Sequence, residues 1–261
     1  MHYDLDKIAG LLRESPNFTR SGLVFFDQID STNTWLMSQD QVHGRVCLAG
    51  YQSAGRGRRN KPWVGQSGGS LLISLGWRLK SPFVPGLSLV SGLAVKKALE
   101  AVGVPGIQLK WPNDIMCRGR KLGGILVESV GGNHVIGVGL NLALDASIAV
   151  DQPWIDLAAV GVRPDLEELV AYLIVFHDQM VSQVSALGFA GFVEPWNQSH
   201  AYHDRAVEVI TVSGTVRGTA KGVNQQGALL VQDPAQVHAI QAGVESVRLQ
   251  ETTKNTGESS R

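Results

Sequence analysis

Residues 110–128 have to fold back on themselves. They read Lys110-Trp111-Pro112-Asn113-Asp114, then Ile115-Met116-Cys117, a turn at Arg118-Gly119-Arg120, and Lys121-Leu122-Gly123-Gly124-Ile125-Leu126-Val127-Glu128. A glycine turn between two apolar runs predicts a β-hairpin. Pro112 keeps Trp111 extended, and Asn113-Asp114 can turn the chain towards a ligand or a metal. The return limb delivers Lys121 at its start, beside glycines that leave room for a bound group. Taken singly, Lys121 reads first as a surface lysine at a hairpin tip.

A second stretch bears on that reading. Gln52-Ser53-Ala54-Gly55-Arg56-Gly57-Arg58-Arg59-Asn60-Lys61, with Trp63 beyond it, places four cations within six residues and no acid among them. Its glycines let the backbone wrap closely around a ligand, and guanidinium groups and free amides suit carboxylate and phosphate. Gly65-Gln66-Ser67-Gly68-Gly69 follows and reads as a mobile segment. These residues alone leave three readings: a loop closing over a small anion, a nucleic-acid contact, or solvated surface.

Charge balance weighs against the second. Lys+Arg and Asp+Glu both number 23, so the cations near Arg56 are a local feature rather than the overall excess of a non-specific nucleic-acid binder. At 261 residues and 44% hydrophobic, the chain can bury one large domain, or one large and one small. Cys47 and Cys117 lie in apolar runs without zinc spacing and are expected to be buried, reduced thiols. Met1-His2-Tyr3-Asp4 lacks the basic start of a signal peptide, and no apolar run approaches the roughly 18 residues of a membrane span. A soluble, cytoplasmic protein is expected.

Along the chain, a short helix is expected over residues 4–14 and a first strand over 23–26. Asp30-Ser31-Thr32-Asn33 reads as a helix cap ahead of Trp35-Leu36-Met37, and also as a cluster of free amides and hydroxyls able to bind a polar ligand. Residues 46–51 and 70–79 are strands entering and leaving the basic loop. Helical spacing runs over 87–102 and again over 165–187, where His177 reads as a satisfied or exposed histidine. Residues 134–141 form a glycine-bearing strand ending at Asn141, with His134 expected at the surface. Beyond His203, short β-prone runs at 207–212, 215–221, 228–232, 237–240 and 246–249 are separated by Gly214, Gly227 and Gly243, a small β domain. The polar tail, 251–261, is expected to be disordered.

Taken together, these segments resemble the biotin–protein ligases. The resemblance rests on Asp30-Ser31-Thr32-Asn33, Gly55-Arg56-Gly57-Arg58-Arg59, Lys110-Trp111-Pro112-Asn113-Asp114, Lys121 to Glu128, and Gly137-Val138-Gly139-Leu140-Asn141, in that order and followed by a small β domain. It covers about residues 20–250. It implies an α+β fold: a catalytic domain (1–202) with a mixed sheet flanked by helices, related to class II aminoacyl-tRNA synthetases, and an SH3-like β-barrel (203–250). It implies a two-step reaction in which biotin and MgATP give biotinoyl-5′-AMP, and biotin then passes to a lysine of a biotin carboxyl carrier protein of acetyl-CoA carboxylase. On the family pattern Lys121, Arg56 and Arg58 are catalytic. Ser31, Thr32, Asn33, Gln52, Gly55, Arg56, Gly57, Arg58, Lys121 and Gly124 line the biotin pocket. Arg58, Trp63, Lys110, Asn113, Lys121 and Asn141 contact ATP or adenylate, and Asp114 helps hold Mg²⁺.

Three departures stand out. The arginine–glycine run usually ends in glycine, and here it ends in Asn60, which tolerates positive φ better than most residues. The C-terminal Gly243-Val244-Glu245-Ser246-Val247-Arg248 carries its acid one place late. On a regular strand that shift changes the face, so no role passes to Glu245. Bifunctional members carry an N-terminal DNA-binding domain, whereas about 20 residues precede the catalytic core here, so no DNA is expected. A homodimer through an exposed sheet edge stays open. The alternatives are a lipoate or octanoate ligase of the same fold and a nucleic-acid-binding module. The P-loop pattern is absent.

Overall fold

The computed structural model describes residues 2–148, 152–241 and 243–250. The expected disordered tail, 251–261, lies outside them. The chain opens with α1 (Leu5–Leu11), shorter than the periodicity suggests and capped by Asp4, whose carboxylate accepts from the amides of Asp6 and Lys7. Then come β1 (Leu23–Phe26), α2 (Thr32–Met37), β2 (Val46–Ala49), β3 (Ser70–Arg78), α3 (Leu87–Ala101), β4 (Ile107–Lys110), β5 (Asp114–Cys117), β6 (Arg120–Val130) and β7 (Asn133–Asn141). The helices α4 (Leu157–Val160), α5 (Leu166–Leu187) and α6 (Val193–Ser199) follow.

These strands form one seven-stranded sheet in the order β1-β2-β3-β7-β6-β5-β4. β1 and β2 run parallel and every other pair is antiparallel, so the sheet is mixed. Alternation along β7 sorts its residues between two faces. Ile136, Val138 and Leu140 join the main core, to which α3 and α5 also contribute. Gly137 and Gly139 fall on the other face, under α2 and the basic loop. Helix α5 is fixed at its start by Asp165, which accepts from the Glu168 amide, and ends at Gly188 with φ 76°. Each fully buried Leu or Ile between it and the sheet contributes roughly 1.5–3 kcal/mol, against about 0.5–1 kcal/mol of lost side-chain entropy.

His134, expected at the surface, is fully buried. The strand begins at Asn133, so His134 is already a paired position under the loop at Ser81. Its Nε2–H donates to the Ser81 carbonyl (2.9 Å), which leaves Nδ1 to accept from the Ser129 hydroxyl (2.8 Å). His177 is buried between the Ser91 hydroxyl (2.7 Å) and the Leu173 carbonyl (2.6 Å), a satisfied structural histidine. Both cysteines are free and buried.

The five β-prone runs form β8 (Ala206–Thr211), β9 (Gly214–Val223), β10 (Leu229–Gln232), β11 (Val237–Ile240) and β12 (Val244–Leu249). They make one antiparallel sheet in the order β11-β10-β9-β8-β12. Hydrogen bonds tie it to the larger unit: Trp111 Nε1 donates to the Gly227 carbonyl (3.1 Å), the Val223 amide to Asn197 Oδ1 (2.8 Å) and Arg59 to Glu245 (3.1 Å). Edge strand β12 thereby lies beside the basic loop.

Candidate active site

On the glycine face of the large sheet is a cleft of about 810 Å³. Its floor is polar. Ser31 caps α2, its hydroxyl accepting from the Thr34 amide. The amide and hydroxyl of Thr32 both donate to Gln52 Oε1 (2.7 and 2.8 Å). Ser74 Oγ lies 2.7 Å from Thr32 Oγ1 and 2.6 Å from Asn33 Oδ1, and Asn33 Nδ2 donates to Glu128 Oε2 at 2.8 Å. Ser31, Thr32 and Asn33 are each only 4% exposed. Burying so many donors and acceptors is tolerable because they bond one another. A Cβ at Gly137 would sit 2.4 Å from Asn33 Oδ1, so only glycine lets α2 approach so closely.

Above the floor the basic loop is a closed turn. The Gly57 amide donates to the Lys61 carbonyl (2.7 Å) and the Trp63 amide to the Gly55 carbonyl (2.9 Å). At its tip both Arg59 (φ 58°) and Asn60 (φ 57°) are left-handed. Asn60 thus occupies the conformation its residue type suggests, and Arg59 joins it without such a signal. The side chains diverge. Arg56 donates to Thr34 Oγ1 (3.0 Å) and Glu128 (3.2 Å), and Arg59 to Glu245 (3.1 Å). Arg58 turns into the cleft: burial presses its pKa below the usual value, the Asp114 carboxylate holds it up, and Arg59 pushes it down again. Trp63 folds back onto Gly139 and Gly124, with Lys121 Nζ 5.8 Å from its ring centroid and its own Nε1–H buried without a partner among the described residues.

The third wall is the hairpin β5–β6, as the glycine turn suggests, but it holds an irregularity. Ile115 pairs with Gly123 and Met116 with Lys121, so Leu122 is an extra residue, a β-bulge. The bulge turns Lys121 to the face that carries Asp114 and Gly124. On a regular strand, Lys121 and Gly124 would point to opposite faces. Lys121 Nζ reaches Asp114 Oδ1 at 2.6 Å, and Lys110 Nζ reaches Oδ2 at 3.3 Å. All three side chains are less than one-fifth exposed, so two cations converge on one carboxylate out of bulk water. Asn113 and Asn141 line the cleft but spend their amide N–H groups on backbone, Asn113 on Ile125 O (2.8 Å) and Asn141 on Ile155 O (3.0 Å).

Asp114, expected to help hold Mg²⁺, has an ammonium group at each oxygen, Lys121 at Oδ1 and Lys110 at Oδ2. Among the described residues no group of three His, Cys, Asp or Glu is placed to hold a metal. A magnesium site built by the protein would need free carboxylate oxygen.

Several cleft residues have no forewarning in the sequence. Pro153-Trp154-Ile155 runs beside Lys121, which donates its amide to Pro153 O (3.0 Å) and accepts at its carbonyl from the Ile155 amide (2.9 Å), bringing Trp154 to the rim. Only the proline next to an aromatic marks that aperiodic stretch. Tyr202 and β12 close the far side. Val244 pairs with Thr211 and Ser246 with Ile210, so Glu245 is itself the extra residue of a second bulge. The face argument against it assumed a regular strand, and the bulge removes that assumption.

The chain matches the Biotin/lipoate A/B protein ligase family over residues 25–145 and the Biotin protein ligase C terminal domain over 202–246. It is 34% identical to the bifunctional ligase/repressor BirA of Escherichia coli K12, over 84% of this chain and 72% of that protein. It is 31% identical to the biotin–[acetyl-CoA-carboxylase] ligase of Paracoccus denitrificans, over 72% of this chain and 84% of that one. The chain belongs to the biotin protein ligase family. Among solved ligases, that of Aquifex aeolicus in complex with biotin and ATP superposes with a TM-score of 0.79 at 25% identity, covering 88% of this chain and 99% of that one. The ligase fold accounts for both sheets, and among the described residues no helix is long and apolar enough to span a membrane.

Proposed function

We propose that this chain activates biotin with ATP to biotinoyl-5′-AMP and transfers biotin to a lysine of a biotin carboxyl carrier protein. One observation carries the site assignment: Lys121 and Lys110 converge on Asp114 at the end of a buried polar floor, under a loop that turns Arg58 inward. In the first step a biotin carboxylate oxygen attacks the α-phosphorus, and pyrophosphate leaves. The nucleophile is already ionised, so no base is needed; the barrier is repulsion between anions. Fixed cations at that meeting point lower it, and in a water-poor cleft they act at full strength. Lys121 and Arg58 take this role. Arg56, bound to Glu128 and Thr34, anchors the loop from the rim. In the second step the acceptor amine attacks the acyl carbon, AMP leaves and the amine loses a proton. The closed loop keeps water from the mixed anhydride until then.

The floor supports biotin over lipoate or octanoate. Ser31, Thr32, Asn33, Gln52 and Ser74 offer both donors and acceptors, which a ureido ring can answer. A dithiolane or alkyl end offers no hydrogen bonds to the sites these groups leave open, so it gains less from this floor than a ureido ring does. Magnesium enters with the nucleotide as MgATP rather than on Asp114. The division at residues 202–203, the kinship of the larger unit with class II aminoacyl-tRNA synthetases and an SH3-like description of the smaller belong to the same proposal. Biotin-dependent ATP–pyrophosphate exchange, with lipoate and octanoate in parallel, tests the reading. Exchange with biotin alone is expected, and no exchange with any acid would overturn it.

A further inference from the structure

Glu128 stands where the polar floor meets the basic loop, and its two oxygens serve different partners. Oε2 accepts from Asn33 Nδ2 at 2.8 Å, and Oε1 accepts from Arg56 Nη2 at 3.2 Å. The same guanidinium nitrogen also donates to Thr34 Oγ1 at 3.0 Å. An ionised carboxylate can only accept. It therefore compels Asn33, a cleft-lining residue, to turn its NH₂ towards β6 and its Oδ1 towards Ser74, whose Oγ lies 2.6 Å away. No other described contact selects that orientation as strongly: the Leu126 carbonyl, the second acceptor of Asn33 Nδ2, is at 3.3 Å.

We infer that Glu128 is a positioning residue that sets the amide orientation of Asn33 and ties the basic loop to the pocket floor through Arg56. It touches no reacting atom. One oxygen makes Asn33 present a hydrogen-bond acceptor to an N–H of the ligand's ring. The other keeps Arg56 at the rim, with the loop backbone lying across the cleft. Recognition of the ring and seating of the loop thus share one carboxylate. The inference rests on the ligase reading.

Glu128→Gln tests it at constant size. A glutamine has one acceptor oxygen, so it can serve Asn33 or Arg56 but not both. The KM for biotin in pyrophosphate exchange is expected to rise about tenfold, with kcat at saturating biotin little changed. Biotinoyl-5′-AMP is expected to leave roughly three to ten times faster, and trypsin to cut faster at Arg58 and Arg59. A rescue separates positioning from general damage. Asn33→Asp alone sets two carboxylates against each other and is expected to be worse than Glu128→Gln. Asn33→Asp with Glu128→Gln restores an acceptor facing the pocket, a donor facing it from residue 128 and an oxygen for Arg56, so biotin KM should recover part of the way. Wild-type KM, retention and proteolysis in Glu128→Gln, or no recovery in the folded double variant, would overturn the inference while leaving the ligase reading intact. A wild-type protein without biotin-dependent exchange would sink both.

Discussion

Adding one methyl group at Gly139 should make the enzyme lose its intermediate. A Cβ there would lie 2.5 Å from Cζ2 and 2.6 Å from Cε2 of Trp63, about 1 Å inside ordinary carbon–carbon contact. Gly139 does not have positive φ, so alanine meets no backbone strain and the clash is purely steric. The ring also packs over Gly124, where a Cβ would be 3.1 Å from Cζ3, and it relieves the clash at residue 139 by lifting from the sheet. Because the Trp63 amide is bonded to Gly55, lifting the ring pulls on the base of the basic loop. Overpacking of this kind costs about 1–3 kcal/mol, and Gly→Ala returns about 0.4–1 kcal/mol through the unfolded chain. The second term belongs to unfolding alone, so the closed loop bears the first in full and is depopulated roughly five- to 150-fold. Chasing labelled biotinoyl-5′-AMP with unlabelled biotin measures its escape rate, which should rise by that factor while thermal stability stays nearly unchanged. Trp63→Leu in the Gly139→Ala background should relieve the clash. Wild-type escape from a folded Gly139→Ala protein would refute the idea that Trp63 seats the loop.

Lys121→Ala should slow adenylate formation by about 10²–10³, read in pyrophosphate exchange at saturating substrates, since it removes a fixed cation from the meeting point of two anions. Arg58→Gly should instead leave exchange measurable and release biotinoyl-5′-AMP early; an intermediate held as long as in wild type would contradict the inward-turned Arg58. His200 is buried with neither ring nitrogen bonded among the described residues, and burial with the neighbouring His203 lowers its pKa from 6.5 to about 4. The folded pKa lies below the unfolded one, so the unfolded chain takes up the proton first. The contribution of neutral His200 to stability is therefore full above pH 6.5 and is lost as pH falls to about 4. His200→Phe should add about 1 kcal/mol at pH 7, a Tm rise of roughly 2–4 °C, and flatten the acid side of a Tm–pH profile.

Much of the frame was legible because strands and helices here follow their own apolar periods. The five runs after His203 all became strands, and the hairpin turned at Arg118-Gly119 as its glycine requires. Strand β4 escaped notice because four residues after the Pro105-Gly106 turn are too few to show a period. The bulges at Leu122 and Glu245 were invisible for a different reason: an extra residue is defined by what the partner strand does, and neither Leu122 nor Glu245 differs from an ordinary strand residue. Arg56–Glu128 and Arg59–Glu245 join residues 72 and 186 positions apart, and nothing local announces such pairs. The motif residues other than Gly55 did assemble around one cleft, because the start of α2, the β2–β3 loop, the β5–β6 hairpin and the glycines of β7 meet on one face of the large sheet.

The Asp114 carboxylate, held between two ammonium groups, is also an internal competitor. Any anion arriving at Lys121 has to displace a counter-charge that is tethered, desolvated and always present. A lone phosphate or a stray carboxylate exchanges one negative partner for another and gains little. On the proposed reading, a nucleotide with several phosphates would engage Lys121, Lys110 and Arg58 together and outbid the tethered acid. On the same reading, discrimination against small anions would need no gate, only the threshold set by that charge arrangement.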